Sequence, residues 1–165
     1  MSIQDRVSKE NYYLDIAQTV AERATCMRRK FGAIIVKDDV IVSTGYNGAP
    51  RGRKNCCDLQ YCMREELKIP RGERYEMCRS VHAEANAIIN APRTQMLGAT
   101  LYMACVSPDD GHLFDGTSSC MMCKKMIINA GIERVVIRDN DTDFRVVMVS
   151  EWIEDDDSLS GKFGY

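Results

Sequence analysis

Apolar residues recur at helical spacing over 11–29, where Leu14, Ala17, Val20, Ala21 and Ala24 share a face, and this predicts a first helix. Two β-branched runs follow at 33–37 and 40–44, separated by Asp38-Asp39, which is the pattern of an antiparallel hairpin. Residues 45–80 carry Gly, Pro, Cys and charge without a period and read as a long functional loop with at most short helices. A helix then begins near Val81 or His82, carries Ala85, Ala87, Ile88 and Ile89, and stops before Pro92. A strand at 99–106 leads through the polar stretch SPDDGHLFDGTSS to a helix at 120–130, with Gly131 as its stop. Strands at 133–138 and 145–149 complete the pattern, and the acidic tail after them reads as a short helix and a loose end. The hairpin must be antiparallel, whereas strand–helix–strand favours a right-handed parallel crossover. The expectation is an α/β fold, a mixed five-stranded sheet flanked by helices. With no repeat or linker, 1–165 reads as one domain with its core at about 10–140 and a tail at about 150–165.

Composition narrows the class. Of 165 residues, 45% are apolar and 28% charged, which excludes a disordered chain. No apolar run approaches the ~20 residues that span a bilayer. The start, MSIQDRVSKE, has no apolar leader, so the expected compartment is cytoplasmic. A net charge of −2 argues against a grip on long nucleic acid. Basic residues gather instead at Arg28-Arg29-Lys30 and Arg51-Gly52-Arg53-Lys54, either as solvated surface or as partners for a small anion such as one phosphate.

Eight cysteines, at 26, 56, 57, 62, 78, 105, 120 and 123, point in a reducing compartment to metal or catalysis rather than disulfides. Two segments stand out: VHAEANAII with His82 and Glu84, and SSCMMCKKMI with Cys120 and Cys123. Both fall at predicted helix starts, where free N–H groups favour a thiolate. Cysteines at i and i+3 share a helix face, and one imidazole with two thiolates suits zinc. Three protein ligands leave the fourth position to water, whose pKa zinc lowers toward ~7. Glu84 stands two residues past His82, within reach to move protons. Taken singly, the C-x-x-C is also compatible with a redox pair or half of a closed structural zinc site, and the H-x-E with a capped helix. Their combination is the signature of zinc deaminases, in which the Glu lies outside the metal shell.

At these residues the chain resembles the cytidine and deoxycytidylate deaminase superfamily and, within it, the dCMP deaminases. The likeness runs from Tyr12 to Ile137 through TCMRRKFGAIIV, STGYNGAPRG, CRSVHAEANAII and CKKMIINAGIERVV. It implies a cytidine-deaminase-like three-layer fold and zinc-dependent hydrolysis of dCMP to dUMP and ammonia. His82, Cys120 and Cys123 match the zinc ligands, and Glu84 matches the proton shuttle. Asn47 matches an Asn that contacts the sugar, with Ala83 beside it in the site. Arg93 matches a position linked to the nucleotide, and Arg28 and Arg29 are further phosphate candidates. The resemblance also implies a second, structural zinc held by Cys26, Cys56, Cys62 and Cys78, with Cys57 left out; the alternative is a buried Cys26 and free thiols. It further implies a homo-oligomer, a hexamer in this family, and dCTP and dTTP as effectors acting through Gly45, Tyr46 and Gly48.

Two features depart from the family pattern. Ser119 stands where the family has Pro before the first C-x-x-C cysteine, and is expected to cap the helix. The stretch 107–119 is longer than in common members and borders the expected site. Competing functions are deamination of another cytosine nucleoside or nucleotide, deamination of single-stranded nucleic acid, and a non-enzymatic zinc scaffold. The charge balance and the lack of an aromatic and basic stripe count against the nucleic-acid reading. Glu84 beside an open three-ligand set counts against the scaffold.

Overall fold

The computed structural model describes residues 5–156, and the expected loose end of the tail at 157–165 lies outside them. Helix α1 (Lys9–Ala21) opens where the Ser8 side chain accepts from the Asn11 N–H at 3.2 Å. It ends eight residues short of the predicted 29, although Ala24 is buried on the same apolar rhythm. The reason is polar. The Thr25 N–H donates to the Asn47 carbonyl and its hydroxyl to Asn55, partners that a continued helix could not reach.

Strands β1 (Lys30–Lys37) and β2 (Val40–Tyr46) form the expected hairpin. Asp38 and Asp39 both take positive φ (50° and 63°), the twist that suits a two-residue hairpin turn and that Asp tolerates. β1 begins earlier than its apolar run because its register with β3 (Thr100–Val106) continues to Lys30 opposite Val106. The 45–80 segment holds only single-turn helices, α2 (Cys56–Leu59) and α3 (Met63–Glu66), and a 3-10 turn at Tyr75–Met77. Then come α4 (Ala83–Ile89), α5 (Arg93–Met96), β3, α6 (Met121–Ala130), β4 (Arg134–Arg138), β5 (Phe144–Met148) and α7 (Val149–Glu154). Gly131 closes α6 in the left-handed conformation at φ 81°, as its position predicts.

The sheet runs β2-β1-β3-β4-β5, parallel at β3–β4 and antiparallel elsewhere. Alternation sorts its two faces. Ala33, Ile35, Leu101, Met103, Val135 and Ile137 bury against Ala83, Ala87 and Ile127 of α4 and α6. Ile34, Val36, Tyr102, Ala104 and Val136 bury against Tyr13, Leu14 and Ala17 of α1. Three layers result, with β1 and β3 covered on both sides. Among the described residues no helix is long and apolar enough to cross a membrane.

Two glycines set the spacing between layers. A Cβ on Gly32 would stand 2.0 Å from the Ala17 carbonyl oxygen, and one on Gly45 would stand 2.4 Å from both the Ala83 carbonyl oxygen and the Ala87 nitrogen. The second contact matters most, because it seats the first turn of α4 on β2. Gly45→Ala must push them apart, at an expected cost of about 2–3 kcal/mol and a fall in Tm of roughly 5–10 °C. Thermal denaturation checks this; an unchanged Tm would mean that α4 does not rest on the strand.

Candidate active site

The two helices on one face of the sheet begin beside each other. His82 is the N-cap residue of α4, and Cys120 is the N-cap of α6. Cys123 lies one turn further along α6 and is fully buried. His82 Nδ1 is 3.4 Å from Cys120 Sγ and 3.4 Å from Cys123 Sγ. Among the described residues, these three form the one group of His, Cys, Asp or Glu donors that all lie within 4.8 Å of one another. One imidazole nitrogen and two buried sulfurs, converging on a point, are a donor set that fits zinc.

Proton affinities in this cluster follow from its crowding. The hydrogen bond from Cys123, aided by His82, lowers the Cys120 pKa to about 4, while the same contact and burial push Cys123 upward. Burial opposes charge on His82, yet contacts with the Cys120 and Cys78 thiols and the nearby Glu84 raise its pKa to about 11. The cluster therefore holds protons that a divalent cation would displace.

Glu84, one residue into α4, is 4% exposed and stands outside the three-donor group. Burial raises its pKa, against the pull of His82 and hydrogen bonds from its own N–H and from Ser119. The Ser119 hydroxyl has two acceptors within reach, Met103 Sδ at 3.7 Å and the Glu84 carboxylate. A carboxylate is much the stronger acceptor, so the hydroxyl is assigned to Glu84. This corrects the expectation that Ser119 caps α6: Cys120 occupies the cap, and Ser119 is fully buried against the carboxylate.

A cavity of about 240 Å³ opens onto His82, Ala83, Glu84 and Cys120. Four arginines line it, Arg28, Arg29, Arg64 and Arg71, against one carboxylate, Glu84. The wall therefore favours an anion. Arg28 and Arg29 were expected here. Arg64 and Arg71 were not, because they arrive from the aperiodic 45–80 segment. Arg64 is 5% exposed, donates to the carbonyls of Pro70 and Glu73 at 2.8 Å, and lies 4.2 Å from the Tyr75 ring centroid. Tyr75 in turn meets the His82 ring edge-on at 5.6 Å.

Asn47 is also in the cavity wall, but its amide already accepts from the Phe31 N–H at 2.8 Å and donates to the Arg29 carbonyl at 2.9 Å. Arg93 is placed elsewhere: it donates to the Asn129 carbonyl at the end of α6 and does not line the cavity. Gly45 lies against α4, and Gly48 pairs its backbone with Val81 in both directions, so this segment holds the approach to His82 in place. Of the three effector candidates, Tyr46 is half exposed. Cys26, Cys62 and Cys78 share the cavity wall, and burial and these neighbours raise the Cys56 pKa. The four do not gather into a close donor group, since Cys78 engages His82 and Cys26 accepts from the Arg28 N–H.

The profile described as "Cytidine and deoxycytidylate deaminase zinc-binding region" matches residues 7–139. The chain is 38% identical over 131 residues to a deoxycytidylate deaminase of Mycobacterium phage D29, covering 77% of this chain and 91% of that one. It is 32% identical to the deoxycytidylate deaminase of Schizosaccharomyces pombe, covering 79% of this chain but 37% of that longer protein. The crystal structure of dCMP deaminase from the cyanophage S-TIM5, in complex with dCMP and dUMP, superposes with a TM-score of 0.53 at 28% identity, over 82% of this chain and 85% of that one. Profile, relatives and fold agree with the donor set built by the two helix starts, and the chain belongs to the cytidine and deoxycytidylate deaminase family.

Proposed function

We propose that this chain hydrolyses dCMP to dUMP and ammonia, with His82, Cys120 and Cys123 holding zinc and Glu84 carrying protons. The observation that carries this reading is a buried carboxylate beside, but not among, three convergent metal donors at the floor of an arginine-lined cavity. When bound, zinc supplies the Lewis acidity that makes a water nucleophilic near neutral pH. Glu84 would take a proton from a water in the cavity and pass it to the ring, and would then do the same for the departing amine. Oxygen adds at C4 of the cytosine, the C4–N bond breaks, and the nitrogen leaves as ammonia. Ser119 holds the Glu84 carboxylate in one orientation through these transfers, and the buried walls keep bulk water from competing for its protons.

The phosphate is read by the arginine wall, with Arg28 and Arg29 as its first partners and Asn47 and Ala83 beside the sugar. Arg93 remains part of the nucleotide site only if another copy of the chain brings it there, since within one chain it serves α6. The same reading carries a homo-oligomer, a hexamer by family resemblance, and a single domain working in the cytoplasm. It also carries dCTP and dTTP as effectors, for which Tyr46 offers the exposed face. Cys26, Cys56, Cys62 and Cys78 hold a second zinc, drawn together by the ion from their present neighbourhood.

Glu84→Gln keeps the shape and loses the proton carrier. Turnover of dCMP should fall by about 10³-fold while zinc content stays at the native value; retained activity, or loss of the metal, contradicts the role. Metal analysis offers a separate check on the thiols of the 45–80 segment. Native protein should carry two zinc ions per chain and Cys56→Ser/Cys62→Ser one; a single ion in native protein rejects the structural site. An ammonia-release comparison of dCMP, CMP, deoxycytidine and cytidine should favour dCMP. Strong activity on cytidine with none on dCMP overturns the substrate.

A further inference from the structure

The cavity's four arginines are not equivalent. Arg28 is paired with Glu65 at 3.0 Å, and Arg64 is held by two backbone carbonyls. Arg29 and Arg71 have no carboxylate partner among the described residues, and of these two only Arg29 has a ring beneath it. Its guanidinium lies 4.4 Å from the centroid of Phe114, within the range of a cation–π contact. Its backbone is held from the other end by Asn47, whose amide donates to the Arg29 carbonyl. An arginine fixed at base and tip, facing a cavity and without a counterion among the described residues, is prepared for an anion that arrives from outside.

Phe114 is itself held firmly. It belongs to the 107–119 stretch, which folds back on β3 as a short hairpin: Val106 bridges Leu113, the Ser107 N–H donates to the His112 carbonyl, and the Phe114 N–H donates to the Cys105 carbonyl at 3.0 Å. The His112 ring packs on Phe114 at 4.9 Å. Further along, the Gly116 N–H donates to Asp139 at 2.9 Å, and Arg145, paired with Asp139 at 2.8 Å, donates to the Thr117 carbonyl. The stretch then delivers Ser118 to the cavity and runs into Cys120. Phe114 is thus held by its backbone to β3 and by the His112 ring, and the residues after it are tied to Asp139 and Arg145.

Resting on the dCMP reading above, we infer that Phe114 is a positioning residue: its ring holds Arg29 at the cavity wall to receive the substrate's phosphate, so the 107–119 hairpin sets preference for the nucleotide. The alkyl stem of Arg29 would otherwise sample many rotamers, and ordering it would oppose binding. The ring removes that disorder before the substrate arrives. The contact leaves the guanidinium edge and its donors open to phosphate oxygens, as an ion pair with a carboxylate would not.

The test is steady-state kinetics on the zinc-loaded enzyme with dCMP, comparing Phe114→Leu, Phe114→Tyr, Arg29→Gln and Phe114→Leu/Arg29→Gln. Leucine keeps apolar bulk but has no π face; tyrosine keeps the face. KM should rise on the order of tenfold in Phe114→Leu and in Arg29→Gln, with kcat changed by less than about threefold. Tyrosine should hold KM near the native value, and adding the leucine to Arg29→Gln should raise KM no further. An unchanged KM in Phe114→Leu, equal losses in the leucine and tyrosine variants, or additive effects in the double variant would overturn the inference. Should Phe114→Leu fail to load zinc or fold, Arg29→Gln against Phe114→Tyr still decides it, because a native KM in Arg29→Gln leaves Phe114 nothing to position. A native enzyme that does not turn over dCMP would instead sink the substrate reading, before any variant is made.

Discussion

Two sulfurs and an imidazole nitrogen held within 4.8 Å of one another, with both cysteines buried, form a concentration of proton-binding groups at the floor of the cavity. Their contacts with one another lower the proton affinity of Cys120 and raise those of His82 and Cys123. A divalent ion satisfies all three donors at once, and this electrostatic demand explains why the surrounding fold is so constrained. Gly45 exists as glycine so that α4 can approach β2, the Gly48–Val81 pairing fixes the entry to His82, and the parallel β3–α6–β4 crossover brings Cys120 to the same point. Displacing any of these separates donors that must act together.

The cavity above the cluster divides its labour by chemistry. Its floor holds a carboxylate that burial biases toward keeping a proton, oriented by a serine hydroxyl. Its wall is cationic. Some of that charge is structural: Arg64 ties the 45–80 segment together through Pro70, Glu73 and Tyr75, and Arg28 shares its charge with the exposed Glu65. Arg29 faces the cavity over an aromatic ring, and the 107–119 hairpin supplies that ring. The 107–119 stretch therefore contributes to the wall, through Ser118 and through the ring beneath Arg29.

Much of this was legible from local rules. His82, Glu84, Cys120 and Cys123 announce themselves because helix starts and i, i+3 spacing are local geometry, and the hairpin because β-branched runs flank a turn that Asp-Asp accepts. The five strands and Gly131 follow for the same reason. What escaped depends on contacts distant in sequence. The end of α1 was misplaced because Thr25 finds partners in Asn47 and Asn55, which no periodicity in 11–29 encodes. Arg93, a candidate by resemblance, donates to the Asn129 carbonyl at the end of α6, a contact that no local pattern encodes. Arg64, Arg71 and Tyr75 reach the cavity through an aperiodic segment, and Ser119 gained a carboxylate partner where sequence offered only a cap.

Anomalous diffraction at the zinc edge, from crystals of the native protein, addresses the central claim most directly. The account predicts a peak at about 2.0–2.1 Å from His82 Nδ1 and about 2.3 Å from the sulfurs of Cys120 and Cys123, with the Glu84 carboxylate outside ligand distance and no other side chain bound. A peak ligated by Glu84 or by a fourth protein donor, or no peak at that point, would contradict it.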